Sequence, residues 1–208
     1  MNARDLYNIA GKLKLSVIKT IETYCDVYIG DSSRVPVVRL KPRGVNKACP
    51  LLNNDHCSVH DVKPSVCALF PLGRVALNDK DATGVEIEKP LNIGYIINPI
   101  QCGSVSRKQT VRSWLERFGI PADDPFFIKW NNTVMSLAES MIKFEKNGAT
   151  KNTLELMWNG IYSAIYTAYD PEKDFMPQFL ENSDKIMKII AALEDSFDNM
   201  LKKPKKGE

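Results

Sequence analysis

The chain has 208 residues, 44% of them hydrophobic and 25% charged, a balance that excludes a collagen-like, mucin-like or wholly disordered polypeptide. Lysine and arginine number 28 against 25 aspartate and glutamate, a net of +3, which without a clustered basic face is too small to point to nucleic acid. No run of about 18 apolar residues is present, so no membrane span is expected, and no export signal is legible near the start, so the expected location is the cytoplasm.

The chain opens with two helical patterns. Leu6, Ile9, Ala10 and Leu13 fall at helical spacing, with Gly11 expected to end that short helix. Ser16 then caps a second segment, in which Val17, Ile18, Ile21, Tyr24 and Cys25 share an apolar face until Gly30 stops it. On that face Cys25 reads as a buried structural thiol. Residues 35–40, β-branched after Pro36, read as a short strand at an edge.

From Lys41 to Pro71 the character changes. Pro42, Gly44, Pro50, Pro64 and Pro71, with Asn46, Asn53, Asn54 and Asp55, leave little room for regular structure. Loops of that length are usually functional or held by a ligand. Short strands are expected at 74–77, 85–87 and 93–97, forming a small antiparallel hairpin or meander. Helices are then expected over 106–118, 125–146, 150–169 and 183–202, with breakers at Gly119, Gly148 and Pro171. Trp114, Trp130, Trp158, Tyr162, Tyr166 and Phe144 recur at helical spacing and read as core. Asp123 and Asp124 read as the N-terminal cap of the helix that follows them.

The expected fold is therefore mostly α with a small antiparallel β element: a cysteine-rich metal-binding loop followed by a C-terminal helical bundle. Residues 1–104 form the cysteine-cluster part, 105–202 a bundle packed on it, and 203–208 a basic tail carrying Lys205 and Lys206.

Five cysteines, an odd number, argue against a disulfide framework. Cys49, Cys57, Cys67 and Cys102 have 7, 9 and 34 residues between them, three lie in the irregular loop, and none sits on a helical or strand stripe. Thiolates are soft donors, and four complete the shell of a structural zinc or the ligand set of an iron–sulfur cluster. The spacing lacks the CxxC of ribbons and fingers. His56 and His60 flank Cys57 and are alternative ligands or solvated bystanders. Four thiolates on a divalent ion leave negative charge that needs N–H donors or cations nearby; Arg43, Lys63 and Arg74 are the candidates by proximity.

The motif order is specific. Cys49-Pro50-Leu51-Leu52, Cys57-Ser58-Val59-His60, Lys63-Pro64 and Cys67-Ala68-Leu69-Phe70-Pro71, followed by Gln101-Cys102-Gly103, resemble the distal half of the YkgJ-type cysteine-cluster family. That family is described as zinc- or iron-chelating and overlaps the flagellin N-methylases; the resemblance spans residues 3–104. It implies Cys49, Cys57, Cys67 and Cys102 as metal ligands, with zinc or an iron–sulfur cluster as cofactor and a role in metal handling or redox. It also implies, as an alternative, methyl transfer to protein lysine. The family carries an N-terminal CxxxCxxCC cluster ahead of the first helix, and this sequence opens at that helix: either the start lies further upstream, or this is a shortened member that retains only the distal cysteines. A third reading is a helical interaction module, serving a protein partner, in which the thiols are simply buried. No glycine-rich phosphate loop and no serine nucleophile elbow occur in the sequence.

Overall fold

Asn2 starts the fold. Its side chain accepts from the Asp5 backbone N–H at 2.8 Å while the Asp5 carboxylate accepts from the Asn2 N–H at 3.2 Å, a reciprocal cap that satisfies two donors left over at a helix start. A computed structural model describes residues 1–76, 93–98 and 108–202, and the capped helix, α1, runs Ala3–Leu13. Leu6, Ile9 and Ala10 form its buried face. Gly11 does not end it. That residue is solvent-exposed with open space around it, where glycine costs about 1 kcal/mol in propensity without blocking the next turn. The stop is Lys14 at φ 54°, whose N–H reaches back to the Ala10 and Gly11 carbonyls.

Ser16 caps α2, Val17–Tyr24, as expected, but the helix ends one residue before Cys25 and Ile18 is exposed. Cys25–Ile29 is instead strand β1, paired antiparallel with β2, Pro36–Leu40, in register from Cys25↔Leu40 to Ile29↔Pro36. A run of β-branched and aromatic residues with a partner strand eleven positions on follows the period of two rather than that of the helix. Pro36 occupies the first residue of β2, where a missing N–H is tolerated.

Residues 41–71 hold little regular structure, in line with their composition. Two-residue strands β3, Leu52–Asn53, and β4, His56–Cys57, pair antiparallel, a 3₁₀ turn covers His60–Val62, and the five-residue helix α3 spans Ser65–Leu69. Contrary to expectation, two of the loop cysteines lie on regular elements, Cys57 on β4 and Cys67 on α3. Strand β5, Leu72–Ala76, pairs with β6, Ile93–Ile97, in register from Leu72↔Ile97 to Ala76↔Ile93. The strand expected at 85–87 lies outside the described residues.

The second half is helical. Thr110 caps α4, Val111–Arg117, which is shorter than the expected 106–118; residues 106 and 107 lie outside the described ones. Helix α5 spans Pro125–Lys146, and α6, Lys151–Tyr162, runs into a π-helical turn, Ser163–Thr167. Helix α7, Phe175–Lys202, begins at 175 rather than 183. Pro177 sits in its first turn, where proline is accepted, and Phe175 and Phe179 there belong to the buried face, stacking on each other at 5.8 Å.

Among the described residues there are thus seven α-helices and three two-stranded antiparallel sheets, and the mostly helical class holds. The main core draws on both halves of the sequence: Leu6, Val38, Phe126, Leu137, Met141, Ile161 and Phe179 are members, and Trp130, Trp158 and Tyr162 pack against it. A second, smaller cluster of Ile9, Leu51 and Val59 lies beneath the loop, with Cys49 and Cys57 against it. No described helix is long and apolar enough to cross a membrane.

Candidate metal centre

All four described cysteines carry free thiols, and they differ in kind. Cys25, 8% exposed in the main core, has its thiol pushed up to about 11 by burial, partly opposed by the nearby N-terminal ammonium. It is the structural thiol its sequence position suggested. Cys49 and Cys57 are half-buried on the Ile9, Leu51 and Val59 cluster. Leu52 ties them locally: its N–H donates to the Cys49 carbonyl at 3.2 Å, and it faces Cys57 across the β3–β4 pair. Cys67 is exposed on α3. Its thiol is nonetheless raised, first by partial desolvation and then by the negative potential of Cys49, Asp5 and Cys57, with Lys63 opposing.

Helix α3 holds Cys67 in place through its ends. Pro64 stands at its N-cap and offers no side-chain hydrogen bond. The acceptor comes instead from α1: Asp5 takes the Ser65 N–H at 2.9 Å and the Ser65 hydroxyl at 3.1 Å. At the other end the Trp114 indole N–H donates to the Ala68 and Leu69 carbonyls, both at 3.1 Å. Burial raises the Asp5 carboxyl above its ordinary value, against the pull of those Ser65 and Asn2 donors.

Cys49 and Cys57 share one apolar patch, and Cys67 lies close enough for its ionisation to feel both. Cys102 lies outside the described residues. Among the described residues, no three histidine, cysteine, aspartate or glutamate side chains stand close enough to hold one metal ion. His56 is exposed with Nδ1 at 2.7 Å from the Asn54 carbonyl, and His60 is exposed at the start of the 3₁₀ turn.

The expected counter-charges divide. Arg43 donates to the Leu52 carbonyl at 2.7 Å and the Cys49 carbonyl at 3.4 Å, bracing the backbone beside two cysteines. Lys63 is the cation whose charge bears on Cys67. Arg74 is not paired with the described thiols: its side chain is 3% exposed and pairs with Asp124 at 2.9 Å. Asp124 in turn is an N-cap by position only. No backbone N–H of α5 reaches its side chain, because both carboxylate oxygens face the Arg4 and Arg74 guanidiniums.

Sequence reasoning missed this Arg4–Asp124–Arg74 triad and the role of Asp5 toward α3. The second had a legible signal, a short helix preceded by proline with no capping side chain of its own, which requires an acceptor from elsewhere. The first had none, since its members are 50 and 120 residues apart. No family model, no curated protein and no solved structure matches this chain.

Proposed function

We propose that this chain is a metal-binding cysteine-cluster protein in which Cys49, Cys57, Cys67 and Cys102 hold zinc or an iron–sulfur cluster, with a role in metal handling or redox chemistry. One contrast carries the reading. Cys25 behaves as a core thiol should, sealed in apolar surroundings, whereas Cys67 is exposed on α3 and Cys49 and Cys57 are only half-buried against the small Ile9, Leu51 and Val59 cluster, so apolar packing does not account for the exposed thiol.

The donor set fits in kind, three soft thiols with Arg43 and Lys63 beside them. The distances among the described ligands do not form a finished shell, so binding has to draw β4 and α3 together. In such sites part of the binding free energy is folding free energy. The motif order from Cys49 to Pro71 and its resemblance to chelating cysteine-cluster domains support the same reading.

The test is metal content. The protein is purified without chelator and without oxygen, its zinc and iron are measured by plasma mass spectrometry, and its visible absorption is recorded. Bound zinc in a colourless protein, or iron with the brown absorption of a cluster, is the expected result. Cys57→Ser should lower the metal stoichiometry and loosen residues 41–72. Unchanged metal content in that variant, or failure of the apoprotein to take up zinc or reconstituted iron and sulfide, defeats the proposal.

A further inference from the structure

A cleft of about 520 Å³ opens on the other flank of α3, lined by Ser65 and Ala68 but by none of the cysteines. Its other walls are the first turns of α1, the segment from His60 to Lys63, Arg74 of β5, and the end of α4. There Gly119, at φ 61°, turns the chain back in a conformation that disfavours a side chain. The volume lies within the range of small-molecule sites.

The charges in this cleft do not cancel. Arg4 and Arg74 share a single carboxylate, Asp124, which leaves one positive charge over. Lys63 and Arg117 have no ion-pair partner among the described residues; each instead lies near the face of Phe118, at 5.5 and 5.7 Å from the ring centre. The two acids that also line the cleft differ: the Asp61 charge is offset by a lysine, while the donors to Asp5 are neutral groups. Asp61 pairs with Lys12 at 2.6 Å, and Asp5 accepts from Ser65 and Asn2.

A second, independent observation comes from Arg74. Two of its nitrogens are satisfied, by Asp124 and by the Pro121 carbonyl at 3.0 Å. Its Nε–H is buried and has no hydrogen-bond partner among the described residues. A buried donor left unpaired is costly, and a small shift of the Arg74 side chain, which lines the cleft, would let an oxyanion there accept from it.

We propose that this cleft binds a small organic phosphate. The surplus of about two positive charges, Arg4, Arg74, Lys63 and Arg117 against Asp124 and Asp5, suits a dianion better than a single carboxylate, and the Phe118 ring, flanked by two cations, offers a surface for the organic part. The site shares Lys63 and one flank of α3 with the metal proposal but none of its cysteines, and the phosphate titration reads it without metal.

The full-length protein is titrated with inorganic phosphate and with phenyl phosphate, with chloride at matched ionic strength as control. Binding is read by calorimetry and by the NMR resonance of the Arg74 Nε–H. The expected result is a shift of that resonance by both phosphates but not by chloride, with phenyl phosphate bound more tightly. Lys63→Gln and Arg117→Gln, both outside the core clusters, should each weaken binding by about tenfold. Lys188→Gln, exposed on α7, should leave it unchanged. An unmoved Arg74 resonance, or an equal loss of affinity in Lys188→Gln, overturns the site. Equal affinity for the two phosphates overturns its assignment to an organic ester.

Discussion

Asp124 shows how one buried carboxylate can join three distant parts of a chain. At 2% exposure its charge would be unaffordable alone, and desolvation indeed pushes its pKa up. The Arg4 and Arg74 guanidiniums outweigh that effect and hold it below the usual carboxylate value. A depressed folded-state pKa stabilises the fold fully above the unfolded value of about 4, and that contribution is lost as the pH falls through the folded value. Asp5 has the opposite sign. Burial raises its pKa, so its share of stability declines as the pH rises above about 4. Asp124→Asn should therefore cost about 3 kcal/mol at neutral pH, because it strands the buried Arg74 without a counter-charge, and the variant should lack the part of the acid destabilisation that Asp124 supplies. Urea midpoints for both proteins, followed from neutral pH into the acid range, measure this. A variant that loses stability on acidification as steeply as the parent would show that the triad does not govern the acid limb.

Among the elements, α3 is the least able to stand alone. Five residues are too few for an independent helix, yet this one carries Cys67, and both its ends are satisfied by side chains from other elements, Asp5 of α1 and Trp114 of α4. Trp114→Phe keeps a ring in place and removes the donor to the Ala68 and Leu69 carbonyls. It should cost about 1 kcal/mol and speed hydrogen exchange at the Cys67 and Ala68 amides, which donate to the Pro64 carbonyl at 2.8 and 2.9 Å. Unchanged exchange at those two amides would mean that α3 is held by other contacts. The same distinction explains which elements were legible in the sequence. Asn2 with Asp5, Ser16 and Thr150 cap their helices within three residues, so pattern and chemistry lie side by side. The caps of α3 arrive from 45 and 60 residues away, and the exchange of helix for strand at Cys25 depends on a partner beyond a turn. No local window contains those terms. For the candidate centre, residue type and loop composition singled out Cys49, Cys57 and Cys67, while the assignment of Arg74 to them failed because proximity in sequence was taken for proximity in charge.

On the scale of the whole molecule, the question is whether the cysteine-bearing part and the helical bundle unfold as one. The main core contains residues of α1, α2, β2, α5, α6, the π-helical turn and α7. Three polar links fasten the first hairpin to the bundle as well: Arg34 to Glu145 at 2.6 Å, the Trp158 indole N–H to the Arg34 carbonyl at 2.8 Å, and the Tyr166 hydroxyl to the Pro36 carbonyl at 3.3 Å. The centre of this core is aromatic. Phe179, 0% exposed, contacts Phe126 edge to face at 4.9 Å and lies 6.1 Å from Trp130. Truncating it leaves a cavity among side chains contributed by both halves, so the cost is about 3–5 kcal/mol. A shared core transmits that loss to every element built on it. In Phe179→Ala, the global opening free energy read by hydrogen exchange at the slowest β1–β2 amides should thus fall by the same amount as the stability read by helical ellipticity in urea. If the hairpin amides kept their protection while the helices weakened, the two parts would be separate cooperative units. The loop that carries Cys49, Cys57 and Cys67 would then rest on a base that the bundle does not support.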